Sequence, residues 1–252
     1  MEEAALHRLL VWAMFGLAAV TLVAVKVITA PYGRHARGGF GPTVPNRVGW
    51  VLMESPAVFA FGTFFALGSR RGELIPLMFL AFWMLHYVPR TFVFPFRIRT
   101  AGKRMPLLVA LSGFGFNLFN AWLNARWISE LGRYPDVWLS DPRFLIGAAL
   151  FAGGWVVNQH ADHVLIHLRA PGETGYRIPR GGLYRFVTCP NYLGELVTWC
   201  GWALMTWSLP GLAFAVYGAA NLGPRAGDHH RWYRETFLDY PPERRALIPF
   251  VW

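Results

Sequence analysis

What most constrains this chain is a series of apolar stretches too long for a soluble core. Leu9 to Val25 runs 17 residues without a charge, which at 1.5 Å per residue nearly crosses the hydrocarbon of a bilayer. Seven apolar segments can be counted, at roughly 8–30, 48–68, 74–94, 106–126, 143–167, 191–207 and 209–222. In lipid a spanning segment must satisfy its own backbone hydrogen bonds, so runs of this kind read as helices. Composition agrees, with only 15% charged residues against 54% hydrophobic, where a soluble domain carries about 25% charged. The expected class is all-α: a polytopic integral membrane protein of seven transmembrane helices, forming one domain over 1–252. Only Ser208 and Leu209, ahead of Pro210 and Gly211, separate the last two segments, which predicts a tight helical hairpin. The first segment is longer than a signal-peptide core and no A-x-A site follows it, so it is expected to remain as a span.

Charge supplies the orientation. The net charge is +10, from 24 Lys+Arg against 14 Asp+Glu. The 1–2, 3–4 and 5–6 loops and the tail hold 16 of these bases, and the other side holds 6. The bias predicts an N-terminus outside and a C-terminus in the cytosol. The bases lie between apolar spans and not on one soluble face, which argues against nucleic acid. Cys189 and Cys200 form no CxxC pair and read as buried free thiols.

Polar groups inside spans are expensive and therefore candidates for function. Glu54 lies six residues into the second span from its cytosolic end, roughly 9 Å deep. Tyr87 lies roughly 10 Å deep in the third span, with Arg90 one turn nearer the cytosol. Asn158 and Asp162 occupy comparable depths in the fifth span, and Glu195 lies one turn into the sixth. Four spans thus bring polar groups to one depth. At 100° per residue, Asn158, Asp162 and Arg169 fall within about 40° of one another. That face of amide, carboxylate and guanidinium suits a ribose and phosphate ligand. His160, His163 and His167 fall about 140–200° away. With His7 at the outer end of the first span and His35 and His86 isolated, the eight histidines are too few and too scattered for a di-iron site. No metal is expected. The 5–6 loop, Arg169 to Arg185, mixes arginines with Tyr176, Tyr184 and Gly181-Gly182, a combination suited to phosphates and a stacked base. No G-x-G-x-x-G or P-loop is present, so any nucleotide would bind outside a Rossmann domain.

Taken in order, several segments resemble the steroid 5α-reductase family. They are Pro31-Tyr32-Gly33-Arg34-His35, Trp50-Val-Leu-Met-Glu54-Ser-Pro56, His86-Tyr87-Val-Pro-Arg90, Pro171-Gly-Glu-Thr-Gly-Tyr176-Arg177, Asn191-Tyr-Leu-Gly-Glu195 and Leu222-Gly-Pro-Arg225-Ala-Gly-Asp-His229-His230-Arg-Trp-Tyr233. The resemblance covers nearly the whole chain. Its C-terminal third is shared with enoyl-CoA and polyprenol reductases, whereas the Glu54 and Tyr87 segments point to a 3-oxo steroid. The resemblance implies NADPH-dependent reduction of a 4-ene-3-ketone to the 5α-dihydro product. It implies that Glu54 and Tyr87 bind the C3 carbonyl and that Trp50 lies against the steroid. Tyr32, Arg90, Asn158, Asp162, Arg169, Tyr176, Arg177, Asn191, Glu195, Arg225, His229 and Tyr233 fall at cofactor positions. The cofactor site would come mainly from 158–252 and the substrate site mainly from 48–94. The 3–4 loop departs in length, leaving open which of Arg97, Arg99 and Arg104 takes a phosphate role. The expected protein is a monomer in a bacterial inner membrane, or in the endoplasmic reticulum of a eukaryote.

The chemistry agrees with that inventory. Hydride addition to an enone builds negative charge on the carbonyl oxygen, and donors held against it stabilise the enolate. Tyr87 is such a donor, and Glu54 in its acid form is another. The alternatives are an enoyl or polyprenol reductase acting on another lipid, or a non-enzymatic lipid transporter or receptor. A transporter would favour broken spans in corresponding halves, and no such repeat is visible.

Overall fold

In a computed structural model of the chain, residues 2–29, 33–35, 37–99, 102–170, 173 and 175–252 are described. Eight α-helices are found among them: α1 (Glu2–Val27), α2 (Asn46–Ala66), α3 (Leu74–Phe92), short α4 (Phe94–Arg97), α5 (Leu107–Arg126), α6 (Pro142–His167), α7 (Pro190–Thr206) and α8 (Leu209–Thr236). Every apolar segment of the sequence is a helix. Four stretches, Glu2–Val27, Asn46–Ala66, Leu74–Arg97 and Leu107–Leu131, are long and apolar enough to cross a membrane. Helices α6 and α8 have 26 and 28 residues but carry more polar side chains, and α7 has 17.

Local chemistry sets the helix ends. Asp141 caps α6 by accepting from the Arg143 amide, and Pro142 occupies the first turn where a missing N–H costs nothing. Ser208 caps α8 in the same way through Gly211. The hairpin between α7 and α8 turns at Trp207, in the left-handed conformation with φ 44° and ψ 48°. A glycine would adopt this backbone more cheaply, so the surrounding packing imposes it.

An all-α reading needs one correction. Strands β1 (Thr43–Pro45) and β2 (Arg104–Pro106) pair antiparallel, with Val44 opposite Met105. Each ends in an X-Pro dipeptide, which holds the preceding residue extended. The strands lead directly into α2 and α5, and the Asn46 and Leu107 amides complete the pairing on the Lys103 and Pro42 carbonyls.

The closest helix packing joins α6 and α7 through glycines seven residues apart on each helix. A Cβ on Gly154 would lie 2.5 Å from the Thr198 nitrogen, and one on Gly194 2.5 Å from the Asn158 nitrogen. A Cβ on Gly201 would lie 2.4 Å from the Phe151 nitrogen, and one on Gly147 2.4 Å from the Met205 nitrogen. Small residues let backbones approach where lipid offers no hydrophobic drive for association. The consequence is positional: Asn158 and Asp162 of α6 are pressed against Asn191 and Glu195 of α7. Two polar contacts show which helix ends share a side. Arg126 at the end of α5 pairs with Glu3 at the start of α1, at 2.6 Å. Thr29, just past α1, donates to Asp228 of α8 at 3.1 Å.

Candidate active site

Helices α2, α3, α5, α6 and α7 enclose a buried polar cluster. Arg90 lies between two carboxylates, with Nε 3.7 Å from Glu54 and Nη1 3.8 Å from Glu195. Asn117 of α5 donates to Glu54 at 3.3 Å. Glu195 accepts from Asn158 at 3.1 Å and from the Trp199 indole at 2.9 Å, and His86 Nε2 stands 3.3 Å from it. Asn191 donates to Asp162 at 3.3 Å. Tyr87 is buried against Trp83 and Trp199, with ring centroids 4.8 and 5.5 Å away. Its hydroxyl has no hydrogen-bond partner among the described residues. Trp50 packs beneath Arg90, whose guanidinium carbon is 5.2 Å from the indole. Two carboxylates therefore share one guanidinium, with the Asp162 carboxyl held nearby by Asn191 and the Tyr87 phenol beside them.

A second compartment of about 270 Å³ opens at the end of α8, next to the first turn of α7. Its lining is cationic and aromatic: Arg34, Lys103, Arg225, His229, Tyr176 and Tyr233 contribute, with Asn191 at the boundary with the buried cluster. The Arg34 guanidinium lies 4.5 Å from the Tyr233 ring and 4.9 Å from the Trp232 ring. One Arg34 nitrogen, Nη1, is buried without a hydrogen-bond partner among the described residues. Lys103 donates to the Tyr176 hydroxyl at 2.7 Å. His35 and His229 stack, with a ring nitrogen contact of 3.0 Å, and Tyr192 meets the other His229 nitrogen at 3.2 Å. Burial, with the cations of Arg34 and Arg225 close by, holds His229 well below the usual histidine range. Two arginines, a lysine and stacked rings, with an orphaned buried guanidinium N–H among them, form a donor set that fits a phosphate-bearing nucleotide.

Of the residues singled out in the sequence, Glu54, Tyr87, Arg90, Asn158, Asp162, Asn191, Glu195 and Trp50 meet in the buried cluster. Tyr176, Arg225, His229 and Tyr233 line the second compartment. Tyr32 lies outside the described residues. Arg169 departs from the expected face, because α6 ends at His167. Its guanidinium turns to the Gly175 and Arg99 carbonyls at 3.0 and 3.3 Å. Arg177 is exposed and paired with Glu173 at 2.5 Å. Two histidines read as isolated are not: His86 belongs to the buried cluster, and His35 stacks on His229. Sequence reasoning also passed over Asn117, although an amide inside an apolar run is a signal in itself. In the 3–4 loop, Lys103 reaches the cavity, while Arg104 binds Thr43 and Arg99 meets the Arg169 carbonyl. The His163 and His167 rings meet at a tilt, centroids 4.1 Å apart, and no cluster of three metal-ligating side chains occurs among the described residues.

Comparison with known proteins agrees along the chain. Residues 103–252 match the family model described as 3-oxo-5-alpha-steroid 4-dehydrogenase. The chain is 45% identical over 239 residues to the 3-oxo-5-alpha-steroid 4-dehydrogenase 1 of Bos taurus, with 93% of each chain covered. It is 42% identical over 253 residues to that of Rattus norvegicus, covering 100% of this chain and 97% of the relative. A plant relative, the steroid 5-alpha-reductase DET2 of Gossypium hirsutum, is 43% identical over 249 residues, with 95% of each covered. A helical membrane-type protein matched over its full length by these relatives belongs to the 3-oxo-5-alpha-steroid 4-dehydrogenase family, and it is an oxidoreductase acting on CH–CH groups.

Proposed function

We propose that this enzyme reduces the C4–C5 double bond of a 3-oxo-4-ene steroid to the 5α-dihydro product, with NADPH as the reductant. One observation carries the reading: a buried phenol, Tyr87, with no hydrogen-bond partner among the described residues, stands in a cluster with the Glu54 carboxyl, beside a cationic aromatic cavity. Tyr87 and the acid form of Glu54 donate to the steroid C3 oxygen, where charge develops as C5 is reduced. Donors held in place for that oxygen lower the barrier without reorganisation. Asn117 and Arg90 orient Glu54. Trp50 packs against the steroid. When bound, NADPH supplies the hydride. Arg34, Lys103 and Arg225 hold its phosphates, Tyr176 and Tyr233 flank its rings, and Asn158, Asp162, Asn191 and Glu195 position its inner end. The excess of cations in the cavity favours NADPH over NADH.

All seven long helices cross the membrane in this reading, with the N-terminus outside and the cavity opening to the cytosol, on the 16-to-6 bias of bases. The protein acts as a monomer in a bacterial inner membrane or an endoplasmic reticulum membrane, and the steroid enters from lipid. A cysteine placed at position 180 should label only from the cytosolic side. The direct test is NADPH oxidation by the detergent-purified protein with a 4-ene-3-ketone, and chromatography of the product. A 5α-dihydro steroid formed one-for-one with NADPH consumed is expected. NADPH that binds without any turnover on enones would refute the reading.

A further inference from the structure

A larger cavity, of about 610 Å³, lies apart from this site, between the end of α8 and the C-terminal tail. Arg231, Arg234 and Arg245 line it with His230, Glu235 and Trp252. Arg231 reaches Asp228 at 3.4 Å. Arg234 and Arg245 form no ion pair among the described residues. His230 meets the Thr188 hydroxyl through Nδ1 at 2.6 Å, so only its Nε2 side faces the groove. The groove thus gathers three guanidinium groups and an imidazole around one carboxylate.

Its depth follows from α1. Val27 and Ile28 end the apolar surface of that helix and are exposed. The next residue, Thr29, bonds Asp228, so Asp228 marks the edge of the hydrocarbon. Arg231 and Arg234 then stand roughly 4.5 and 9 Å beyond it along α8, at headgroup level. The rim is apolar. Val251 and Trp252 line the groove, Phe250 is 78% exposed, and its ring packs on Phe186 at 5.5 Å. A soluble anion would gain nothing from such a rim.

We infer that this groove binds the phosphate of an anionic phospholipid, with Arg234 and Arg245 on the phosphate and the Phe250–Trp252 tail seated among the upper acyl chains. The inference rests on the membrane reading of α1 and is independent of the reduction chemistry. Native mass spectrometry of the delipidated full chain, offered phosphatidylglycerol and phosphatidylcholine in equal amounts, tests it. The wild type should retain phosphatidylglycerol in preference. Arg234→Gln, at an exposed helix position, should cut that retention about fivefold, and adding Arg245→Gln about 30-fold. Replacing both by lysine should preserve most of the preference. If the double variant fails to fold, Arg234→Gln alone decides. Equal retention by wild type and Arg234→Gln would overturn the inference. So would displacement of the lipid by inorganic phosphate, since the groove would then serve a free anion.

Discussion

The two compartments of the site have opposite chemistry. The cluster between α2, α3, α6 and α7 holds three carboxyl groups and one arginine, while the cavity at the end of α8 holds Arg34, Lys103, Arg225 and two histidines around Asp228. Each compartment is poorly balanced alone, and buried charge without a partner is costly. A fold keeps such an arrangement where ligands complete it. The cationic chamber suits phosphates, and in the proposed reaction the acidic one meets the neutral ketone. They meet at Asn191, which donates to Asp162 and also faces the cavity. One ligand spanning both would place its charged end in the first chamber and its neutral end in the second.

The division of labour can be broken most sharply at Tyr87. Tyr87→Phe removes the donor and keeps the ring stacked on Trp199, so turnover of a 4-ene-3-ketone should fall about 10²–10³-fold with NADPH affinity unchanged. Melting temperature and turnover per folded molecule, measured together, check this, and near-normal turnover would reduce the phenol to a packing group. Arg34→Ala acts on the other chamber. It should weaken NADPH binding by about tenfold or more, the worth of a charged hydrogen bond, and leave the rate at saturating cofactor close to wild type. Fluorescence titration reads the first quantity and steady-state kinetics the second.

A smaller effect concerns pH. His229 is held below the ordinary histidine range by burial and by Arg34 and Arg225, with His35, Tyr192 and Asp228 also facing it. Below about pH 6.5 the unfolded chain takes up a proton that folded His229 refuses. Stability should therefore be flat above that pH and decline below it, by at most about 1.4 kcal/mol per pH unit. Thermal melts from pH 7.5 to 5 should show the decline, and His229→Gln should flatten it. The smallest effect is expected at His160, which is exposed on the far side of α6 beside Gly182. His160→Ala should change turnover and cofactor affinity by less than about twofold, as befits a surface position.

Much of this was legible beforehand because lipid is a strict solvent. The seven long helices follow from apolar run length alone, and the common level at which Glu54, Tyr87, Asp162 and Glu195 meet follows from counting along them. The α6 seam, where Gly147 and Gly154 face Gly201 and Gly194, was not read from the sequence. What counting along one helix cannot supply is the partner on the next. His86 read as isolated because its partner, Glu195, lies 109 positions away in the chain. Arg169 was extrapolated along a helix that stops two residues earlier, and its guanidinium followed nearby loop carbonyls instead.

The sequence by itself determined the helical class, the long apolar helices and the family, because hydropathy, run length and motif order are one-dimensional properties. Only the tertiary structure decided which polar groups touch. It paired the 1–2 and 3–4 loops as strands and brought Lys103, not Arg104, to the cavity. It stacked His35 on His229 and buried Tyr87 against Trp83 and Trp199. Those outcomes depend on the angle and closeness of helix packing, which glycine contacts and side-chain volumes set across residues far apart in the chain.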